Sequence, residues 1–149
     1  MPLQQSRPQP MIDAKYGAAD KILTLPAASA TAILNDPEAS AYAKAKACQR
    51  LAVVGNRAAV PALAALLTDP QLSHYARFAL EPLPDPAAGD ALRAALDKVK
   101  GPLLTGVINS IAHRKDAKAI PALAKLRNDP DPEIARAADA ALARVRPAL

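Results

Sequence analysis

"AVPALAALLTDP" runs from Ala59 to Pro70, and "AIPALAKLRNDP" restates it from Ala119 to Pro130. Their prolines, Pro61 and Pro121, lie 60 residues apart, which is two periods of about 30. Between them "GDALRAAL" from Gly89 holds the same register, with Asp90 where the others carry proline. The ending recurs too, as "ILNDP" at Ile33–Pro37 and "KLRNDP" at Lys125–Pro130. A repeat of this length is one supersecondary unit, too small to bury an apolar face alone.

The segments between these phrases keep step. Leu72, Leu103 and Ile134 are separated by 31 residues, as are Ala76, Val107 and Ala138, and Leu80, Ile111 and Leu142. Within each segment these positions are i, i+4 and i+8, the apolar stripe of an amphipathic helix. Partner helices carry Val60, Leu63 and Leu67, then Leu92 and Leu96, then Ile120, Leu123 and Leu126. First helices are expected at Ala41–Val54, Gln71–Pro82, Pro102–His113 and Pro132–Val145. Second helices are expected at Ala58–Thr68, Ala87–Val99 and Ala117–Arg127. Upstream, Ala28–Asn35 reads as the end of a second helix and Tyr16–Leu25 as its worn first helix. Asp-Pro pairs end one helix and cap the next, and proline fits a first turn because its missing N–H has no partner there.

Composition agrees with an all-α chain. The 149 residues include only Tyr16, Tyr42, Tyr75 and Phe78 as aromatics, and no Trp. A core of Ala and Leu lets helices approach closely. The formal charge of +5 permits attraction to acidic partners without requiring it. A lone cysteine, Cys48, rules out an intramolecular disulfide and fits a reducing, cytoplasmic setting. No stretch is long and apolar enough for a membrane span, and the "MPLQQSRPQP" start lacks a secretion signal. An exported protein whose signal had been removed would read the same way. Residues 1–14 are expected to form a disordered arm, residues 15–146 one helical domain and residues 147–149 a tail.

The last unit, "DPDPEIARAADAALARV" from Asp129, resembles the HEAT-like repeats of the bacterial phycobilisome-lyase type. The resemblance spans roughly residues 36–145 and implies an α-solenoid of about four stacked helix pairs. The middle stretch is also similar to a HEAT-domain type of exported bacterial proteins. One departure stands out: the consensus Arg after the aliphatic residue is replaced by Ser73, Leu104 and Ala135.

Catalytic patterns are absent. Ser73 and His74 are helical neighbours that point about 100° apart, so the base does not face the hydroxyl. Ser73 is expected to cap a first turn. With only His74 and His113, no paired cysteines and no His-Glu-x-x-His spacing, no metal or cofactor is expected. Cys48 falls beside Arg77 in the repeat register, where a cation would favour a thiolate, yet Ile108 shares that column and argues for burial. The exposed side of the second helices is expected to show Ala62, Ala65, Ala91, Ala94, Ala122 and Lys125. Arg57, Arg114, Lys115 and Lys118 gather at one edge, with Lys98 and Lys100 at the other.

The expected role is a non-catalytic scaffold that binds a protein or peptide partner. His74, Arg77, Glu81, Arg93, Asn109, Arg114 and Lys115 are the candidate contact residues. His74, Arg77 and Glu81 should share one exposed face, so that replacing Arg77 or Arg114 leaves stability nearly unchanged. The alternatives are a lyase-type accessory subunit handling a chromophore or modified peptide, and a weak nucleic-acid or polyanion binder.

Overall fold

One carboxylate builds the first turn. In the computed structural model, which describes residues 12–146, Ile12–Asp13 (β1) pairs antiparallel with Gly17–Ala18 (β2). The buried Asp13 accepts through Oδ1 from the amides of Lys15 and Tyr16 at 2.7 and 2.8 Å. Its Oδ2 accepts from the Ser40 amide at 2.9 Å. Hydrogen bonds from Ser40, first of all its side chain, hold this carboxyl well below the usual carboxylate range. Gly17, at φ +80°, supplies the left-handed residue that closes the hairpin.

This hairpin changes two expectations. The helix expected over Tyr16–Leu25 shrinks to Ala19–Ile22 (α1), because Gly17 turns into the left-handed region and Gly17–Ala18 pair with Ile12–Asp13 instead of continuing a helix. The arm expected over residues 1–14 overlaps the hairpin at Ile12–Ala14; residues 1–11 and 147–149 lie outside the described residues.

The remaining elements are helical. They are Ala27–Leu34 (α2), Ala41–Val54 (α3), Val60–Ala65 (α4), Ser73–Leu80 (α5), Pro86–Ala95 (α6), Gly101–His113 (α7), Ile120–Leu126 (α8) and Pro132–Val145 (α9). Short 3₁₀ turns flank α4 and precede α8. The described residues are all-α apart from the two-residue strands. Helices α3 and α9 have the bounds the periodicity predicts, whereas α5 is shorter than Gln71–Pro82 at both ends.

Side-chain oxygens set the starts. Ser40 Oγ accepts from Ala43 N at α3, Asp85 Oδ1 from Ala87 N at α6, and Asp131 Oδ1 from Glu133 N at α9. Asn56 and Asp116 do the same for the 3₁₀ turns. Each removes one orphan donor from a helix start, worth about 1 kcal/mol. Helix α5 departs from this pattern. Leu72 stands at its N-cap without a side-chain cap, and Ser73 is buried inside the first turn, so the expected Ser73 cap does not form. Asp69 satisfies the approach instead, accepting from the Gln71 and Leu72 amides.

Packing follows the repeat. Helix α3 lies against α2 and α5, α5 against α7, and α7 against α9; α4 lies against α2, α5 and α6, and α6 against α7. Helix α8 packs on α9. Of the nine stripe residues of the first helices, all are buried except Leu103, which is half-buried beside the buried Leu104. Each fully buried Leu or Ile contributes about 2 kcal/mol of transfer free energy. Alanine fills the closest approaches: Ala43, Ala76, Ala79 and Ala88 have no exposed surface. Ala62 is buried too, against the expectation that it lines an open face. No helix among the described residues is long and apolar enough to cross a membrane.

Candidate functional site

Four of the seven candidate contact residues turn inward. Arg77 reaches from α5 to α7, where Nη1 donates to Gly106 O at 3.1 Å and to Ser110 Oγ at 3.4 Å. Ser110 Oγ in turn donates to Glu81 Oε1 at 2.8 Å. Arg77 and Glu81 are thus joined through the fully buried Ser110 of the neighbouring helix, and not by an exposed ion pair on their own. Burial pulls the Arg77 guanidinium below its ordinary pKa, opposed by the nearby Glu81 charge. Its Nε and the Ser73 hydroxyl, one helical turn away, are buried without a protein partner.

Arg114 is committed more completely. From the C-terminus of α7 its Nη1 donates to the carbonyls of Leu80, Glu81 and Leu83 at 3.0, 3.1 and 2.6 Å. Nη2 reaches Asp85 O at 3.4 Å. A guanidinium therefore supplies both hydrogen bonds and positive charge at the carboxyl end of α5, where carbonyls lack intrahelical partners. Arg93 pairs with Asp116 and with Asp90, linking α6 to the turn after α7. The common outer face expected for His74, Arg77 and Glu81 does not exist, since only His74 of the three is exposed.

Lys115 is exposed because of its backbone. It occupies the left-handed region at φ +53°, with its amide bonded to Ala112 O and the Asp116 amide to Ile111 O. That is a Schellman ending for α7 with Lys where Gly is usual. Asn109 is exposed on α7, and its side chain makes no hydrogen bond within the described residues. The structure does not bring His74, Asn109 and Lys115 into one groove; the first and last line separate ones.

An open groove of about 390 Å³ lies between the N-terminal halves of α3 and α5. Tyr42, Ala45, Lys46, Gln71, His74 and Tyr75 line it. The rings of His74 and Tyr75 stand 4.0 Å apart between centroids at 38°, and Lys46 Nζ lies 5.7 Å from the Tyr42 ring centre. Among the described residues, neither tyrosine hydroxyl, nor the Gln71 side-chain amide, nor the His74 ring has a hydrogen-bond partner, and the Lys46 ammonium bonds only Gln49. No carboxylate lines the groove. Of these residues the sequence reading singled out only His74. The signal was present: two of the chain's four aromatics sit beside the apolar stripes of successive first helices, and aromatics are scarce.

A second groove, of about 370 Å³, is bordered by Arg93, Arg114, Lys115, Asp116 and Lys118. Its arginines are already held by carbonyls and carboxylates, so the basic edge foreseen there reduces to Lys115 and Lys118, while Arg57 lines a separate groove. Cys48 has no exposed surface, and burial pushes its thiol up to about 12. The Arg77 guanidinium, bonded into α7, does not offset this, so the geometry favours an inert thiol. Among the described residues no three His, Cys, Asp or Glu side chains converge as a metal site would need.

The chain matches no protein-family model and no curated protein. The functional reading therefore rests on the geometry.

Proposed function

We propose that the chain is a short HEAT-like α-solenoid of about four helix pairs that binds a protein or peptide partner without catalysis. The partner sits in the groove between α3 and α5. The 31-residue register and the succession of contacts α3 to α5 to α7 to α9 support the solenoid reading. One observation carries the binding reading: the Tyr42–Tyr75 groove combines aromatic surface with tyrosine, Gln71 and His74 side-chain donors that nothing in the described fold uses. Rigid helices hold these groups, so little ordering entropy opposes association. A lone buried cysteine suits a cytoplasmic setting. The buried, high-pKa Cys48 weighs against a lyase-type accessory role, which would require an accessible thiolate.

The test is comparative capture with the full chain and a Tyr42→Ala/Tyr75→Ala variant of unchanged melting temperature. A partner held by the first and lost by the second supports the reading. Equal capture by both places binding elsewhere.

A further inference from the structure

We infer that the α3–α5 groove recognises an extended, proline-rich acidic peptide segment. This deepens the proposed function and rests on it. The lining offers Tyr42 and Tyr75 hydroxyls, a Gln71 amide, the His74 ring and the Lys46 ammonium, with no carboxylate among them. Every side-chain polar group in the groove is therefore able to donate, and the only formal charge is positive.

A ligand that brings acceptors and negative charge complements these donors and the Lys46 ammonium. Helical or sheet-paired ligands have already used their carbonyls internally. A polyproline II segment has not: its backbone makes no internal hydrogen bonds and leaves its carbonyls free. Its pyrrolidine rings pack on aromatic faces, as in other aromatic-lined grooves that read proline-rich segments. Here the tilted His74–Tyr75 pair forms one wall and Tyr42 with Lys46 the other. The buried Leu72 and Ala45 form an apolar floor. The volume of about 390 Å³ is that of a small ligand cleft and suits a few residues of extended chain. The Lys46 ammonium, without an ion pair among the described residues, selects a carboxylate beside the prolines.

The test titrates the isotope-labelled full chain with three synthetic peptides. One has the repeating unit Pro-Pro-Glu, one Pro-Pro-Lys, and one Ala-Ala-Glu. The Pro-Pro-Glu peptide is expected to shift the amide resonances of Tyr42, Ala45, His74 and Tyr75. It should bind about tenfold more tightly than either control. Lys46→Ala should weaken it about threefold, and Tyr42→Phe/Tyr75→Phe should weaken it while keeping the rings and the fold.

Equal binding of all three peptides at these residues would overturn the ligand class while leaving the groove as a binding site. No shift at these residues with any peptide overturns the inference. A partner still captured through Tyr42 and Tyr75 would then show that the proposed function survives with a different ligand.

Discussion

The guanidinium of Arg77 fills the space that a side chain at position 106 would need. A Cβ placed on Gly106 would lie 2.6 Å from Arg77 Cζ and 2.7 Å from Nη2. A glycine in mid-helix normally weakens the helix, so its presence in α7 calls for a reason. That reason lies on α5, whose arginine must come close enough to bond Gly106 O and Ser110 Oγ.

Gly106→Ala should therefore destabilise the protein by about 1 kcal/mol, because the lost charge-assisted bonds outweigh the gain in helix propensity. In an Arg77→Ala background the same change should stabilise by about 0.5–1 kcal/mol, since only the propensity gain remains. A double-mutant cycle by chemical denaturation measures both signs. A glycine change that is harmless in the parent protein would show that the contact is not under pressure.

Arg114→Met should cost about 2–3 kcal/mol, as several carbonyls at the end of α5 lose their donor and the local positive charge disappears. A chain of this size would then melt about 4–10 °C lower. Arg114→Lys should recover only part of this, because an ammonium lacks the planar fork that reaches several carbonyls at once. Differential scanning calorimetry separates the three proteins; a methionine variant as stable as the parent would return Arg114 to the surface role expected from its sequence position.

Lys115→Gly should raise stability by several tenths to about 1 kcal/mol. The left-handed conformation at φ +53° strains a residue with a Cβ, and the Schellman ending of α7 needs that conformation. The higher chain entropy of glycine in the unfolded state offsets part of the gain. Lys115→Ala, which keeps the Cβ and removes the charge, should change little by comparison.

The N-terminal hairpin should loosen in acid. Asp36 accepts from Lys15 Nζ at 2.8 Å and from the Tyr16 hydroxyl, and these bonds lower its pKa to about 2. A carboxylate with a depressed folded pKa stabilises fully above its unfolded value near 3.8 and ceases to do so as pH falls through about 2. Asp13 shifts in the same direction and adds to the effect. Hydrogen exchange at the Lys15 and Tyr16 amides, corrected for intrinsic rates, should accelerate between pH 4 and pH 2. Asp36→Asn should weaken protection already at neutral pH and flatten that dependence.

Helix positions were readable because burial repeats with the geometry of the helix. Leu72, Ala76 and Leu80 recur 31 residues later, and a stripe at i, i+4 and i+8 has one way to be buried. Ser73 and Leu104, each next to a stripe residue, are buried as well. The hairpin at Ile12–Ala18 was not legible. A seven-residue stretch has no periodicity to show, and its turn depends on one carboxylate whose other oxygen bonds Ser40, far along the chain.

What the sequence determined by itself was the predominantly helical class and the order and approximate position of most helices. Each depends on local spacing alone. What only the tertiary structure decided was which polar residues are free. Arg77, Glu81, Arg93 and Arg114 look like a displayed surface when each helix is drawn alone, yet their partners lie 23 to 34 residues away. Long side chains choose between solvent and a neighbouring helix by the carbonyls and hydroxyls that packing brings within reach, and a single helix wheel does not contain those groups. The same packing leaves the Tyr42 and Tyr75 hydroxyls at one groove without a hydrogen-bond partner among the described residues.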